Sequence, residues 1–236
     1  MYNRPPVLLF AVGFRFLSWS LFVGSFCLLS IAIIQEFFPK FPLQIGTPEL
    51  ETYLGYGFTG AIFAGIGGIA CLIPRFFSSE IPVRRPLFLA IVLSVFAGSL
   101  WVYRNPDSFL QRHLQQLLQE PKYLETFYVA LLLITNMNYL IICKRAAYWM
   151  QDTTIASRAG AAILMQWITG FAWTALLFLP KLYPEWFDMI PTLGELDGSR
   201  VAKLGILLIL FLSQFLVSSV FGGTASMLFS CRYLKE

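Results

Sequence analysis

Charged residues are scarce in this chain. Only 13% of its 236 residues are Asp, Glu, Lys or Arg, whereas soluble domains carry about 25%. Apolar residues make up 57% of the sequence and the mean hydropathy is +0.68. Because water does not solvate a surface so poor in charge, the composition excludes an ordinary soluble domain and predicts a chain embedded in lipid. The net charge of +4 is ordinary for a membrane protein and does not call for a nucleic-acid partner.

Metal ligands and catalytic motifs are also scarce. The sequence has one histidine, His113, and four isolated cysteines, whereas metal and haem sites usually need two or more ligands. It has no C-x-x-C pair, glycine-rich phosphate loop, nucleophile elbow or zinc-protease motif. We therefore predict no catalytic residues, no metal site and no bound cofactor, and an enzyme is the less favoured class. A bound lipid or quinone stays compatible with the sequence, because it needs only an apolar groove and one or two hydrogen bonds.

What the chain does contain is six long apolar runs. A membrane-spanning helix needs about 20 apolar residues to cross a hydrocarbon core of about 30 Å. We expect Arg15 to lie at the inner end of the first span, with its side chain reaching the interface. The sequence therefore predicts an all-α fold, a polytopic membrane helix bundle that forms a single domain over residues 1–236, with transmembrane helices at 16–34, 54–73, 87–103, 127–143, 159–179 and 204–229.

The distribution of Lys and Arg predicts the orientation of these helices. One side of the membrane collects ten of the 17 basic residues and three acidic ones, Glu80, Asp152 and Glu236. Basic residues are enriched in cytoplasmic loops of membrane proteins. The ten basic residues are Arg4, Arg15, Arg75, Arg84, Arg85, Lys144, Arg145, Arg158, Arg232 and Lys235. With six spans, both termini are predicted to be cytoplasmic, in a membrane of the bacterial inner (plasma) type.

One segment between the spans has a helical pattern of its own. Residues 106–120 place Leu110, Leu114, Leu117 and Leu118 on one face, with glutamines and Arg112 elsewhere. This spacing predicts an amphipathic helix that lies in the outer interface.

Four amide side chains lie within the predicted spans: Asn136, Asn138, Gln166 and Gln214. Amides are costly in hydrocarbon, so we expect them to face the interior of the bundle and to bond to neighbouring helices. Two interpretations follow. The amides hold helices together, which is the simpler interpretation, or they form the polar lining of a substrate path.

The second helix carries small residues at regular spacing. Gly60, Ala64 and Gly68 recur every four residues, and Gly57 lies beside them. Small residues at this spacing let another backbone approach closely. They predict a packing face for another helix of this chain or of a second subunit.

Several of these features occur in an order known from one family. They are IIQEFFP at 33–39, TGAIFAGIGG at 59–68, Asn138 followed by Lys144-Arg145 in the fourth helix, and FGGTA at 221–225. Together they resemble the first six helices of the catalytic subunit I of cbb-type haem–copper oxidases. The resemblance covers most of this chain and about the first half of such a subunit.

The metal ligands of that family are absent from the matching positions. The family's second helix supplies a haem-ligating histidine where this chain has Gly57, and its sixth supplies a copper-ligating histidine near Gln214. Neither residue replaces imidazole as a ligand. The resemblance therefore implies a metal-free relative without oxidase activity.

Two function classes follow from the sequence. The first is a non-catalytic membrane subunit, scaffold or assembly factor of a larger complex, respiratory if the resemblance reflects kinship; its partners are the lipid bilayer and other membrane subunits. The alternative is a small-molecule transporter, or the membrane component of one, with a neutral polar site built from the amides.

Overall fold

The computed structural model describes residues 4–37, 48–76, 83–102, 121–182 and 198–230. Within these ranges the chain forms six α-helices and no β-strand, which confirms the prediction of an all-α fold. The helices are α1 (Arg4–Phe37), α2 (Pro48–Phe76), α3 (Arg84–Val102), α4 (Pro121–Trp149), α5 (Thr153–Leu182) and α6 (Gly198–Ser230).

Four of these helices are long and apolar enough to cross a membrane, and they identify a membrane-embedded chain. The stretches are Val7–Cys27 in α1, Tyr53–Ile73 in α2, Val129–Trp149 in α4 and Leu204–Ser230 in α6. The apolar stretch described in α3 is shorter, Arg85–Phe96. In α5, Arg158 and Gln166 lower the hydropathy of the part whose side chains are described. The amphipathic helix predicted at 106–120 lies outside the described residues.

The first apolar stretch begins earlier than the span predicted at 16–34. It starts at Val7, so Arg15 lies inside it rather than at its edge. The side chain of Arg15 is exposed at the surface of the bundle. A long arginine side chain on such a surface can extend along the helix toward the interface.

Local signals in the sequence explain several helix ends. Pro48 and Pro121 occupy the first positions of α2 and α4, where the missing backbone N–H costs no hydrogen bond. The Asp152 side chain accepts the backbone N–H of Ile155 at 2.9 Å and caps α5.

The α4–α5 connection is a tight turn of three residues. Asp152 N–H donates to the carbonyl of Ala147 at 2.9 Å, and Gln151 N–H donates to the carbonyl of Tyr148 at 3.1 Å. This pair of bonds is the Schellman pattern, which requires a left-handed residue after the helix. Gln151 takes that place with φ of 61°.

Side-chain contacts show that consecutive helices run in opposite directions. Gly13 meets Leu72 and Gly24 meets Ala61, so α1 and α2 are antiparallel. α1 and α6 are also antiparallel, because Phe14 contacts Phe221 whereas Phe22, further along α1, contacts the earlier residue Phe215. α4 and α5 are antiparallel for the same reason, with Gly160 near Lys144 and Gly170 near Leu133. The beginning of α1 and the end of α6 therefore lie at the same end of the bundle.

Among the described side chains, the main cluster of buried apolar residues lies toward that same end. Its members come from the first half of α1, α3 and α5 and from the second half of α2, α4 and α6; the largest are Phe10, Phe14, Leu72, Leu87, Leu140, Ile142 and Phe221. α4, α5 and α6 contact one another, α1 joins α2 to α6, and α3 packs on α4. α2 is consequently at the edge, with α1 as its main neighbour.

Five basic residues lie at the core end of the bundle. Arg15, Arg85, Lys144, Arg145 and Arg158 all lie in the helix halves that supply the core. Lys144 Nζ is 3.8 Å from the position that a Cβ would occupy on Gly160. The acidic residue described at this end is Asp152, which lies in the α4–α5 turn and caps α5.

Candidate functional site

Two buried amides meet between α4 and α6. Asn136 Nδ2 donates to Gln214 Oε1 at 2.7 Å, and each side chain is 3% exposed. α4 and α6 run parallel, so this bond fixes their relative register near the middle of both apolar stretches. A hydrogen bond between helices in lipid contributes about 0.6 kcal/mol on average and up to about 1.7 kcal/mol.

A second buried amide joins α5 to α6 at the neighbouring position. Gln166 Nε2 donates to Ser213 Oγ at 2.5 Å; Gln166 is 1% exposed and Ser213 is fully buried. Because Ser213 and Gln214 are consecutive, both bonds leave α6 at the same level. We call Asn136, Gln166, Ser213 and Gln214 the amide cluster. It unites three of the four amides predicted from the sequence.

Each glutamine of the amide cluster has one polar atom without a partner. Gln166 Oε1 and Gln214 Nε2 are buried and make no hydrogen bond within the part of the chain that the structure describes. Trp173 Nε1 is in the same situation and lies two turns beyond Gln166, on the same face of α5. Buried polar atoms in proteins are normally bonded, so the open acceptor and donor are the chemically notable feature of the cluster.

The fourth predicted amide is not part of the cluster. Asn138 Nδ2 donates to the carbonyl of Ile134 at 2.9 Å, one turn back on its own helix. Its side chain is half-buried. Asn136 and Asn138 are two residues apart, so they point to different faces of α4, and only Asn136 reaches another helix.

The small residues of α2 divide between two faces. A Cβ on Gly68 would lie 2.9 Å from the carbonyl oxygen of Gly13, and one on Gly57 would lie 3.0 Å from Cys27 Sγ. These residues form the contact with α1. Gly60 has no atom within 4 Å of a Cβ position and is exposed, and Ala64 is half-buried. Gly60 therefore lies outside the contact with α1.

A contact that the sequence did not predict joins α1 to α6. Ser18 Oγ donates to the carbonyl of Ser218 at 2.8 Å, and Ser218 Oγ donates to the carbonyl of Ser18 at 2.8 Å. Gly222 lies next to this pair, with its Cβ position 3.2 Å from Ser18 Oγ and 3.8 Å from Arg15 Nη1. On that face of α1, Ser18 is the one serine between Phe14 and Phe22. A single polar residue on an apolar face is the feature of the sequence that indicates such a contact.

A hydroxyl pair also links α3 to α4. Tyr139 OH and Ser94 Oγ are 3.1 Å apart, and Ser94 Oγ also donates to the carbonyl of Ala90 at 2.7 Å. The Tyr139 ring packs edge-on against Phe221 at 5.9 Å. Neither hydroxyl is unpartnered in the described part of the chain. The pair differs in this respect from the amide cluster, in which each glutamine has an unpartnered atom.

Groups that hold a metal ion are not clustered in the described residues. These residues contain no set of three or more His, Cys, Asp or Glu side chains that could bind a metal. Cys27, Cys71 and Cys143 are free thiols, and His113 lies outside the described residues. A Cβ on Gly57 would meet Cys27 Sγ, so among the described residues a thiol and no imidazole lies beside this position.

Known proteins give no further guide to this arrangement. Comparisons of the chain with protein-family models, with curated proteins and with solved structures find no match.

Proposed function

We propose that all six helices span the membrane and that both termini are cytoplasmic, in a membrane of the bacterial inner type. The alternating helix directions and the basic residues of the core end support this topology. α3 and α5 have 19 and 30 residues, and about 20 residues cross the hydrocarbon core. Both are therefore long enough to span it when packed against α4.

We further propose that the chain is a non-catalytic subunit, scaffold or assembly factor of a larger membrane complex. The observation that carries this proposal is the one-sided packing of α2. Its inner face is tightly fitted to α1, while at Gly60 and Gly67, outside that contact, no atom of another helix in the described part of the chain lies within 4 Å of a Cβ position. Exposed aromatic residues flank these glycines: Tyr53, Tyr56 and Phe63.

The proposed partner is a membrane helix of another subunit, packed on the face of α2 that contains Gly60, Ala64 and Gly67. Small residues let two backbones approach closely, and the resulting van der Waals packing is one of the forces that associate helices in lipid. Aromatic rings beside such a groove add contact area. The resemblance to haem–copper oxidase subunit I makes a respiratory complex the first candidate, with this chain as a metal-free relative.

Native mass spectrometry of the chain, extracted from its own membrane in mild detergent, tests this proposal. We expect stoichiometric association with other membrane subunits, and haem absorption in the same sample if the complex is respiratory. Gly60→Leu should release the partner. Gly205→Leu is the matched control, because Gly205 is also an exposed helical glycine without an atom within 4 Å of its Cβ position. A solitary protein from wild-type membranes would refute the proposal.

A transporter with a neutral polar site is the second candidate, and the open atoms of Gln166 and Gln214 favour it. Stopped-flow light scattering of proteoliposomes exposed to urea, glycerol and other uncharged solutes measures such transport. Gln214→Leu should abolish the flux while leaving insertion intact. Asn138→Leu should leave it unchanged, since the hydrogen bond of Asn138 among the described residues is to its own helix. Equal flux through wild-type protein and Gln214→Leu would exclude this function.

A further inference from the structure

Each glutamine of the amide cluster has one bonded polar atom and one open polar atom. Gln166 Nε2 and Gln214 Oε1 are each used in a bond to a neighbouring helix, at 2.5 Å and 2.7 Å. The other polar atom of each amide, the acceptor Gln166 Oε1 and the donor Gln214 Nε2, is buried and unpartnered among the described residues.

A 180° rotation of either side-chain amide group does not remove the unpartnered atom. A 180° rotation of Gln214 would place its NH₂ group against the NH₂ group of Asn136 and would break the bond at 2.7 Å. A rotation of Gln166 would bring its oxygen to Ser213 Oγ, but its NH₂ group would then be the open atom. Either orientation leaves an unused polar atom on each glutamine, which costs about 1–3 kcal/mol when nothing else bonds to it.

We propose that the amide cluster binds a small uncharged molecule that donates a hydrogen bond to Gln166 Oε1 and accepts one from Gln214 Nε2. The buried polar residues in the described part of the chain are all neutral: Thr135, Asn136, Gln166, Thr169, Ser213, Gln214, Ser218 and Thr224. A charged ligand would have no counter-ion there, and its desolvation would not be offset.

The chemistry of the ligand follows from the two open atoms. It must be both donor and acceptor, which describes a hydroxyl group, a primary amide or water. Two sources supply this chemistry, namely an internal water molecule and the hydroxyl or amide group of an organic solute. Buried waters in proteins typically make about three hydrogen bonds to polar groups that would otherwise be unsatisfied. This inference rests on the cluster alone and holds for a subunit as well as for a transporter.

Paired replacement of bonded residues tests whether a ligand is present. Asn136→Leu with Gln214→Met removes both partners of one bond, and Gln166→Met with Ser213→Ala removes both partners of the other. In an empty cluster each pair would also remove an unsatisfied atom, so the thermal unfolding midpoint would stay constant or rise. If a ligand is bound, the double variants also lose the hydrogen bonds between the ligand and the cluster. We then expect the thermal unfolding midpoint to fall by about 2–4 °C or more.

Ser94→Ala with Tyr139→Phe is the matched control. It removes a contact between two helices, as the cluster pairs do, but the Ser94–Tyr139 contact has no open atom. A constant or raised midpoint for both cluster pairs, with correctly inserted protein, would overturn the proposal. A fall for the cluster pairs that exceeds the fall for the control pair supports it.

Solid-state NMR identifies the source of the ligand and does not depend on the stability of a variant. The full chain, with ¹⁵N-labelled glutamine side chains, is reconstituted in phosphatidylethanolamine–phosphatidylglycerol vesicles. Rapid magnetisation transfer from water to the Gln214 NH₂ group identifies an internal water. Gln151, which is exposed in the α4–α5 turn, is the positive control, and the signal that disappears in Gln214→Met provides the assignment.

An organic ligand gives a different pair of results. The Gln214 NH₂ group then receives no rapid transfer from water, and native mass spectrometry finds one small molecule per chain that is lost in Gln214→Met. If neither water transfer nor a bound mass is found, the proposal is wrong. The subunit proposal is unaffected by that outcome, because its test measures association with other chains.

Discussion

Ser18 and Ser218 bind each other's backbone. Each hydroxyl donates to the carbonyl oxygen of the other residue at 2.8 Å, and the two hydroxyl oxygens are 3.2 Å apart. The two helices must be close at this point for both bonds to form at once, and Gly222 beside Ser18 provides the room. The pair thus sets the register of α1 against α6, the helix that holds half of the amide cluster.

We expect replacement of both serines to show that they act together. Ser18→Ala and Ser218→Ala each remove one donor, and the double variant should lose less than the sum of the two single losses. Each single loss should be about 0.6 kcal/mol and at most about 1.7 kcal/mol, the average and the upper value for hydrogen bonds between helices in lipid, and the coupling energy should be smaller than either loss. Thermal unfolding in detergent measures it.

Ser226→Ala is the control for this cycle. Ser226 lies on the same helix, and its hydroxyl bonds only to the carbonyl of Gly222, one turn back. It should change the unfolding midpoint little. Additive losses for Ser18→Ala and Ser218→Ala would show that the two serines contribute independently.

Two adjacent glycines of α2 should respond differently to a methyl group. A Cβ on Gly68 would lie 2.9 Å from the carbonyl oxygen of Gly13 and 3.1 Å from the backbone nitrogen of Leu17, whereas one on Gly67 would meet no atom within 4 Å. Gly68→Ala must push α1 and α2 apart and should destabilise the protein by about 1–3 kcal/mol.

Gly67→Ala is the matched control, because it adds the same methyl group to the same turn. Alanine also favours helix over glycine by about 0.8–1.0 kcal/mol in water, so Gly67→Ala should be neutral or stabilising. Comparison of the two unfolding midpoints in detergent gives the answer. Equal effects would mean that α1 and α2 are not in contact at Gly68.

The helical fold was predictable because lipid imposes a simple rule. An apolar run of about 20 residues has to form a helix in the bilayer so that its backbone groups are bonded. The apolar runs therefore predict helices directly, and within the described residues they form helices. Arg15 marks the limit of this rule, because a charge within the run predicts the boundary of the span but not the end of the helix, which continues from Arg4 to Phe37.

The pairing of helices was not predictable in the same way. Gly57 and Gly60 are one turn apart and equally small, yet only Gly57 faces α1. That choice depends on how α1 and α2 are rotated against each other, which no local pattern in α2 specifies. Likewise the sequence predicts that the amides of Gln166 and Gln214 face the interior, but the pairing of Gln166 with Ser213 depends on the register of α5 against α6.

The turn between α4 and α5 contains a residue in a conformation that suits glycine. Gln151 has φ of 61°, where a side chain with a Cβ costs about 1–2 kcal/mol. Gln151→Gly should stabilise the protein and raise its thermal midpoint by about 2–4 °C. Gln151→Val should lower the midpoint, because branching at Cβ makes this conformation worse. A lower midpoint for Gln151→Gly would show that the turn does not adopt the Schellman geometry.

The proposed topology can be tested at the same turn. We expect Gln151→Cys, in a chain whose native cysteines are replaced by serine or alanine, to lie on the cytoplasmic side, beside Lys144, Arg145 and Arg158. A maleimide that does not cross membranes should label it in inside-out vesicles and not in intact cells. Gln115→Cys, in the segment predicted to lie at the outer interface, should show the reverse. Labelling of both positions from one side would mean that α4 does not cross the membrane, and a reversal of both would place the basic end of the bundle outside.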